Sequence, residues 1–445
     1  MPITEGIAIS REASMPRADS GGSSAPPTDA VPATFGDVFA VGEFRALWLA
    51  QILSVAGDQL ARVALTLLVF ERTQSSLLAA VTFATSLVPL ALGGLTLSGL
   101  ADRLPRREVM ICCDLGRCAL VASMALPGVP VAVLIALLFL STLISAPFTS
   151  ARAALYRDIL AGDRYVAGIA ITLTAMQFAQ VLGFAVGGAV VAFLGVRTSL
   201  LLDAASFIIS AVIIRVWVRA RPSARAEPHP GPRARSGRFT AVRLAFTEPA
   251  LRTPMLFGWL VVFYNVPEGV AAPLAQSLGG GAIAVGLILA SQAFGASVGA
   301  IVFSRLVVPA RRVRWMGRLA ILACSVLVAF AFHPPLPVAL AILTASGIFD
   351  CYQLAANASF VTAVPAEHRS GAFGVAQAGM SLGQGTAMIL AGAAAQTHSP
   401  SSVIAAAGAI GVLCGAAVAA STSGRGNHPP RARDVHETLP PRGGA

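Results

Sequence analysis

The sequence predicts an all-α integral membrane protein, with twelve transmembrane helices in two pseudo-symmetric six-helix halves. Of its 445 residues, 56% are hydrophobic and 12% are charged, and the mean hydropathy is +0.74. Apolar runs of about 20 residues, which a helix needs to cross a hydrocarbon core of about 30 Å, recur along the chain. These runs lack the alternation of membrane β-strands, and a backbone in lipid must satisfy its own hydrogen bonds, so we expect helices.

The predicted spans are the apolar windows between charged residues and Pro or Gly. We number them 1 to 12, and each gap takes the number of the span that it follows. In order, the spans cover 45–70, 76–98, 108–127, 130–151, 166–194, 198–218, 253–277, 282–304, 316–332, 336–361, 371–395 and 401–422.

The basic residues predict the orientation. All 32 are arginines, and the odd-numbered gaps hold only Arg72 and Arg197. The positive-inside rule therefore places the even-numbered gaps and both termini on the cytoplasmic side of a cell inner (plasma) membrane. This distribution explains the net charge of +11 without a nucleic-acid partner, so the expected surroundings are a lipid bilayer. Arginine without lysine is typical of GC-rich bacterial genomes.

The chain divides into two helical halves and three polar segments. A weak internal repeat supports the division, because it aligns Asp58 with Asn265 and Gly187 with Gly392. The predicted regions are a disordered N-terminal tail (1–40), a first half (41–218), an Arg/Pro-rich cytoplasmic linker (219–251), a second half (252–422) and a disordered C-terminal tail (423–445).

Gap 2 contains the sequence SGLADRLPRRE, which resembles the signature of the major facilitator superfamily, approximately G-x-L-A-D-R-x-G-R-[KR], with Pro105 in place of the usual glycine. Glycine allows close helix approach, the aspartate accepts hydrogen bonds, and the arginines hold the loop on the inner face. We predict a gating loop, the alternative being a plain basic loop without a gating role. Its residues are Gly99, Asp102, Arg103, Arg106 and Arg107.

Span 5 contains GFAVGG, which resembles the G-P-x-x-G-G motif of the antiporter members, with Phe184 in place of proline. We predict that Gly183, Gly187 and Gly188 form a helix-packing motif, with packing alone as the alternative to a seal against leakage. The stretches 146–155 and 364–371 resemble the ends of spans 4 and 10 in exporters of drugs, macrolides and siderophores. This resemblance implies export in exchange for protons.

Ionisable residues at bilayer depth are costly and are therefore candidates for function. Asp58 and Arg62 lie four residues apart on span 1, where they could pair with each other. Glu268 follows Pro267 in a predicted break of span 7, with no basic residue within a helical turn. Together with Asp350 in span 10, these residues are the proton-coupling or substrate candidates; structural roles remain the alternative for the Asp58–Arg62 pair and for Glu268.

Neutral polar side chains in the apolar spans suit a large amphipathic solute better than a small ion. Hydrogen bonding between helices is the alternative role. We expect Asp114 and Arg117 in span 3 to join the network of Asp102, and we expect Asp203 in span 6 to be shallow. The substrate-cavity candidates are Asn265, Gln177, Gln353, Asn357 and Gln377.

Two related halves with few midplane carboxylates predict a secondary transporter that works by alternating access. We expect a monomer that exports a small amphipathic organic solute, with protons as coupling ion and without a cofactor or metal. No nucleotide-binding motif occurs in the sequence. Proton-coupled uptake of a nutrient is the first alternative. A membrane-embedded lipid-modifying enzyme is less favoured, because all six histidines fall in gaps or tails.

Overall fold

The computed structural model describes residues 34–89, 92–93, 104–221, 243, 246–365 and 369–423. Every element within these ranges is helical, which confirms the predicted fold class. Three predicted gating residues, Gly99, Asp102 and Arg103, lie outside the described residues. So do residues 1–33 and 424–445 of the predicted tails and most of the linker.

The helices follow the predicted spans. Spans 1 to 6 correspond to Gly42–Thr73, Ser76–Ala84 (the described start of span 2), Arg106–Met124, Val131–Ile159 and, for spans 5 and 6 together, Asp163–Trp217. Spans 7 to 12 correspond to Pro249–Trp259 with Val261–Tyr264, Val266–Gly269 and Ala271–Ser277; Ala282–Leu306; Pro309–Ser325 with the 3-10 helix Val326–Phe332; Leu336–Phe349 with Tyr352–Ala363; Arg369–Ala394; and Pro400–Ser423.

Seven of the described helices are long and apolar enough to cross a bilayer, and the bent pair of span 7 makes an eighth. One of the seven, Asp163–Trp217, contains two predicted spans. Span 2 is described only in part, and the helix Arg106–Met124 of span 3 carries five charged residues. Large apolar side chains such as Leu413, 71% exposed, cover the outer surface, as expected where lipid is the solvent.

One part of the predicted N-terminal tail is ordered, contrary to the prediction. Phe35–Phe39 form a short helix, which begins with a capping box between Thr34 and Asp37. Accepting the Thr34 hydroxyl hydrogen bond lowers the pKa of the exposed Asp37 carboxyl. Val38 is fully buried in the N-terminal half, so this helix is anchored by an apolar contact that the polar composition of residues 1–40 concealed.

Regular helix geometry is interrupted at three places. Spans 5 and 6 meet at Gly195, whose φ of 81° and ψ of 165° favour glycine over residues with a side chain. Span 7 bends by 49° between Gly269 and Ala271, which confirms the break predicted there. Span 10 is interrupted at Asp350 and Cys351, a break that the sequence analysis did not predict.

The hydrophobic cores show how the halves meet. One large core contains residues of both halves, including Phe83 and Val285 near the odd-numbered gaps, and it extends through the C-terminal half to Met316. At the opposite end each half has its own core, around Phe44 in the first half and Met255 in the second. We call these the closed end and the open end. Among the described residues, the halves therefore share apolar packing only at the closed end.

Close backbone contacts and hydrogen bonds also join the halves at the closed end. A Cβ on Gly188 of span 5 would lie 2.7 Å from the carbonyl oxygen of Ala282 and 2.9 Å from Cα of Gly286 in span 8. The Ser76 hydroxyl of span 2 donates to the carbonyl of Ala395 at 3.4 Å. Contacts of this kind require small residues on both helices.

Candidate functional site

An ion pair lies inside the N-terminal half. Arg117 of span 3 contacts Asp58 of span 1, lies 3.5 Å from the Ser54 hydroxyl, and stacks 4.2 Å from the ring centre of Phe207. The Arg117 side chain is 7% exposed, whereas that of Asp58 is 30% exposed. The predicted partner of Asp58 was Arg62. That prediction is wrong, because packing of span 3 against span 1 presents a second arginine to the same carboxylate.

Asp203 of span 6 is another member of this group. It is 1% exposed and close enough to Asp58, Arg117 and Arg62 for their charges to interact. A Cβ on Gly57 of span 1 would overlap the Asp203 carboxylate, so the glycine provides the space that this side chain occupies. The expectation that Asp203 is shallow is wrong, since its position near one end of span 6 concealed that it faces span 1.

Asp114 of span 3 is fully buried and accepts a hydrogen bond of 2.6 Å from the Ser210 hydroxyl of span 6. Its other carboxyl oxygen, Oδ1, has no hydrogen-bond partner among the described residues. Asp114 and Arg117 were expected to join the network of Asp102 in gap 2. Asp102 lies outside the described residues, so that expectation stays a prediction; the contacts that the structure describes tie Asp114 and Arg117 to spans 6 and 1 within the N-terminal half.

Arg62 and Glu268 belong to opposite halves and lie within range of each other's charge. Their charges interact, yet neither makes an ion pair or side-chain hydrogen bond with a described residue. Glu268 lies in the short helix Val266–Gly269, and Gly269 packs against Met388 of span 11. The charge of Asp350 also interacts with that of Glu268. A carboxylate at the helix break in span 7 thus lies within range of the charge of a basic side chain of the other half.

The C-terminal half holds Asp350 with neutral partners. The hydroxyl of Tyr264 donates to the Asp350 carboxylate. The Gln353 amide donates to the carbonyl of Gly258 at 2.9 Å and to the Tyr264 hydroxyl at 3.1 Å. The Tyr352 hydroxyl donates to the carbonyl of Phe257 at 3.0 Å. These bonds connect the two broken spans, 7 and 10.

A second neutral group surrounds Asn265. Its side-chain oxygen accepts a hydrogen bond of 2.8 Å from Gln292 of span 8, and its amide donates to Gln384 of span 11 at 3.3 Å. Gln292 also donates to the carbonyl of Tyr264 at 2.9 Å. Asn265 was predicted as a cavity residue. The structure places it in a bridge between three spans, which is the alternative role that the sequence left open for such residues.

Each half contains a polar cavity. The one in the N-terminal half has a volume of about 360 Å³, and its charged lining residues are Asp58, Arg62, Arg117, Arg152 and Asp203. Gln177 also lines it. The cavity in the C-terminal half has a volume of about 290 Å³, and Asp350 is the charged residue among its described lining. Of the predicted cavity residues, this second cavity brings together Gln353, Asn357 and Gln377.

The glycines of the span 5 motif face two different helices. A Cβ on Gly183 would lie 3.1 Å from the carbonyl oxygen of Ala56, and one on Gly187 would lie 3.2 Å from Cα of Leu60, both in span 1. Gly188 instead faces span 8 of the other half. The first two positions therefore allow packing within the N-terminal half, and the third allows the halves to approach each other.

The two described residues of the predicted gating loop bind within their own half. Arg106 forms an ion pair with Asp158 at the end of span 4. Arg107 donates to the carbonyl of Arg215 near the end of span 6. These contacts fasten the start of span 3 to its neighbours at the open end. A gating role for the loop stays a prediction.

Three residues whose contacts the sequence analysis did not predict share one feature of the sequence. Arg117, Asp203 and Asp114 are charged residues within long apolar windows, so their presence was visible. Their partners lie on other helices, distant in the chain, and only the packing of spans 1, 3 and 6 brings them together. The sequence therefore reveals these residues as charges in apolar windows, but it does not identify their contacts.

Comparison with known proteins gives a family match and several similar structures. The profile of the Major Facilitator Superfamily matches residues 47–267 and 268–442. No curated protein matches the chain. A POT family transporter in complex with 5-aminolevulinic acid is similar, with a TM-score of 0.69 and 10% identity over 88% of this chain and 98% of that chain.

Two further structures of similar fold extend the comparison. A POT family transporter in complex with a thioalcohol-conjugated peptide has a TM-score of 0.69 and 10% identity, over 86% of this chain and 96% of that chain. A bacterial homologue of the human lysosomal transporter Spinster, inward-facing and unoccupied, has a TM-score of 0.60 and 17% identity, over 87% and 95%. At these identities the likeness shows the fold alone, and the predicted exporter branch stays a prediction.

Proposed function

The chain belongs to the major facilitator superfamily of secondary transporters, and we propose that it carries a small amphipathic organic solute with acidic and basic groups, coupled to protons. The solute binds between the two polar cavities, which alternate in access as the halves rock. The structure is the state that is closed at one end, where the halves share a core. With the predicted topology, the open end faces the cytoplasm.

One observation carries the proposal: the two cavities differ in charge. Three arginines and two aspartates line the N-terminal cavity, whereas the described lining of the C-terminal cavity has one aspartate and no basic residue. A solute with a carboxylate and an amine would place each group near the opposite charge. Complementary charges at two fixed points orient the solute and select against neutral molecules of the same size.

The ligands of the similar structures fit this chemistry. The POT family transporters were in complex with a conjugated peptide and with 5-aminolevulinic acid. Amino acids and short peptides carry both an amine and a carboxylate. We therefore place proton-coupled uptake of such a solute first. Export of a drug, macrolide or siderophore-like metabolite is the second candidate, favoured by the antiporter-like motif whose Gly188 packs against span 8.

Glu268 is the proposed coupling residue. Among the candidate carboxylates, it is the one whose charge interacts with an arginine of the other half, Arg62, without a direct ion pair. Protonation of Glu268 would remove this attraction and leave Arg62 free to bind a carboxylate of the solute. Proton binding and solute binding then favour each other, because the proton removes the Glu268 carboxylate as a partner of Arg62 and the solute carboxylate takes its place.

Transport by the purified chain in proteoliposomes under an imposed pH gradient tests the proposal. A radiolabelled dipeptide and a cationic drug are the two probe solutes. We expect the wild type to accumulate the dipeptide inside the vesicles when protons flow inward down their gradient. Glu268→Gln should lose this accumulation yet retain exchange of labelled for unlabelled dipeptide, because binding and rocking do not need the proton.

The matched control is Glu71→Gln, which removes an exposed carboxylate from the end of span 1. It should behave as the wild type. Proton coupling through Glu268 is excluded if Glu268→Gln still accumulates solute in response to the gradient. Accumulation of the drug against the direction of proton flow, without dipeptide transport, would support export instead of uptake.

A further inference from the structure

A third cavity lies at the open end of the N-terminal half, apart from the two polar cavities. Its volume is about 990 Å³, and it lies between the start of span 1 and the ends of spans 4 and 6. Such a volume is at the upper end of the range for ligand pockets, about 300–1,000 Å³. All of its described lining belongs to the N-terminal half, its preceding short helix and the first residues after span 6, so it is separate from the interface between the halves.

Three arginines line this cavity, and they are not all neutralised. Arg221 pairs with Glu43 at 2.7 Å, and the exposed Arg219 lies 3.6 Å from the same carboxylate. Arg45 lines the cavity and makes no ion pair with a described residue. Asp158, the other acidic residue in the lining, is already paired with Arg106. The remaining positive charge favours an anionic ligand.

Two lining residues have buried N–H groups without an acceptor. These are Nε1 of Trp48 and Nη1 of Arg221, neither of which has a hydrogen-bond partner among the described residues. A buried donor without an acceptor costs about 1–3 kcal/mol, so such groups are usually satisfied by water or by a ligand. Donors without acceptors in a basic cavity indicate a ligand with several acceptor oxygens, such as a phosphate ester.

The apolar side of the cavity faces the surrounding lipid. Leu49 and Trp217 line it and are 44% and 58% exposed on the outer surface. Tryptophan is enriched where the hydrocarbon core meets the headgroups, and arginine can extend to the same depth. The cavity therefore has a basic part at headgroup level and an apolar part that is continuous with the acyl-chain region.

We propose that this cavity binds the headgroup of an anionic phospholipid from the adjacent leaflet. The phosphate accepts hydrogen bonds from Trp48, Arg45 and Arg221, and the acyl chains lie along Leu49 and Trp217. The predicted topology places the cavity in the cytoplasmic leaflet, where basic pockets between helices bind anionic headgroups. Because Arg219 and Arg221 begin the connection to the C-terminal half, the lipid would hold this connection against the N-terminal half.

Quenching of tryptophan fluorescence by brominated lipids tests the proposal with the full-length protein in mixed micelles. Phosphatidylglycerol and phosphatidylcholine with identical brominated chains are compared. We expect half-maximal quenching at a lower concentration of phosphatidylglycerol. Arg45→Gln should raise that concentration about fivefold, the effect expected of one charge near the membrane surface. Arg45 makes no ion pair with a described residue, so this variant should fold.

Trp48→Phe keeps an aromatic ring and removes the N–H donor, and it should also weaken the preference for phosphatidylglycerol, with Trp217 as reporter in a chain whose Trp259 and Trp315 are replaced by Phe. Arg314→Gln, an exposed arginine of the other half, is the matched control and should change nothing. Equal quenching by both lipids, or equal effects of Arg45→Gln and Arg314→Gln, overturns the proposal. Displacement of phosphatidylglycerol by inorganic phosphate assigns the site to a free anion and likewise overturns it.

Discussion

The two halves share one architecture but hold their midplane polar residues in different ways. Asp58 and Asn265 occupy corresponding positions of the internal repeat. In the N-terminal half, Asp58 pairs with the cation of Arg117. In the C-terminal half, Asn265 contacts the neutral amides of Gln292 and Gln384. Related backbones thus support a charged cluster on one side and a neutral network on the other.

This difference has a physical consequence for transport. An ion pair changes its strength when its carboxylate gains a proton, whereas hydrogen bonds between neutral amides, hydroxyls and carbonyls keep theirs. The neutral network can hold spans 7, 8, 10 and 11 together throughout a cycle. The charged cluster can rearrange. Glu268 is linked to it across the interface, because its charge interacts with that of Arg62. We therefore expect protonation to change the contacts of the N-terminal cavity and of its interface with the C-terminal half.

The largest effect should come from Arg117→Gln, which breaks the charged cluster. Asp58 loses its cation, and the free energy of unfolding should fall by about 2–3 kcal/mol. This is less than the loss for a fully buried pair, because the Asp58 side chain is 30% exposed and partly solvated. Thermal unfolding of the purified protein in detergent measures the change.

A double variant distinguishes loss of charge balance from loss of packing. Asp58→Asn with Arg117→Gln removes both charges, so we expect recovery of more than half of the lost stability. Arg157→Gln, at the exposed end of span 4, is the control and should leave stability unchanged. Equal losses in the single and double variants would show that Arg117 contributes through its contact with Phe207 instead.

A smaller effect is expected where the two halves touch. In Gly188→Ala, the new Cβ would lie 2.7 Å from the carbonyl oxygen of Ala282, so spans 5 and 8 must separate. Such overpacking costs about 1–2 kcal/mol and should shift the population of the closed end about tenfold. The readout is maleimide labelling of Ser76→Cys, a buried site at that end, in a chain without its native cysteines.

The control for that prediction is Gly281→Ala, which is near the same interface. A Cβ at Gly281 would meet no atom within 4 Å, and its φ of −105° suits any residue. Labelling should therefore match that of the unsubstituted glycine. If Gly188→Ala also leaves the labelling rate unchanged, the contact between spans 5 and 8 does not limit opening of the closed end.

The smallest effect should come from Tyr264→Phe in the neutral network. The ring remains, while the hydrogen bonds to Asp350 and Gln353 are lost. Gln353 keeps its bond to the carbonyl of Gly258, and Asp350 lines the cavity, where water can replace the lost donor, so stability should fall by only about 1 kcal/mol. Thermal unfolding measures this change beside Arg117→Gln. A loss as large as that of Arg117→Gln would show that the two halves do not differ as proposed.

Much of the fold could be predicted because its signals are local. An apolar window of about 20 residues gives a span, and Pro267 with Gly269 gives the bend of span 7. The break at Asp350 escaped prediction, since neither proline nor glycine marks it. At this break Asp350 contacts Tyr264 of span 7, a partner that the sequence of span 10 does not contain.

The candidate site was predictable in its residues and less so in its pairs. Glu268, Asp58 and Arg62 stood out because a charge in an apolar window is rare. Helical spacing suggested that Asp58 would pair with Arg62, four residues away, but Arg117 contacts it. Spacing along one helix shows which residues share a face. It cannot show which other helix lies against that face.

The sequence by itself determined the number and order of the spans, their predicted orientation and the membership of the superfamily, because hydropathy, charge asymmetry and a short loop motif are readable without coordinates. Only the tertiary structure decided that Arg117 neutralises Asp58, that Asp203 is buried beside Gly57, and that Glu268 lies within range of the charge of Arg62. These partners are distant in the chain. Charge interactions depend on separation in space, and helix packing sets that separation.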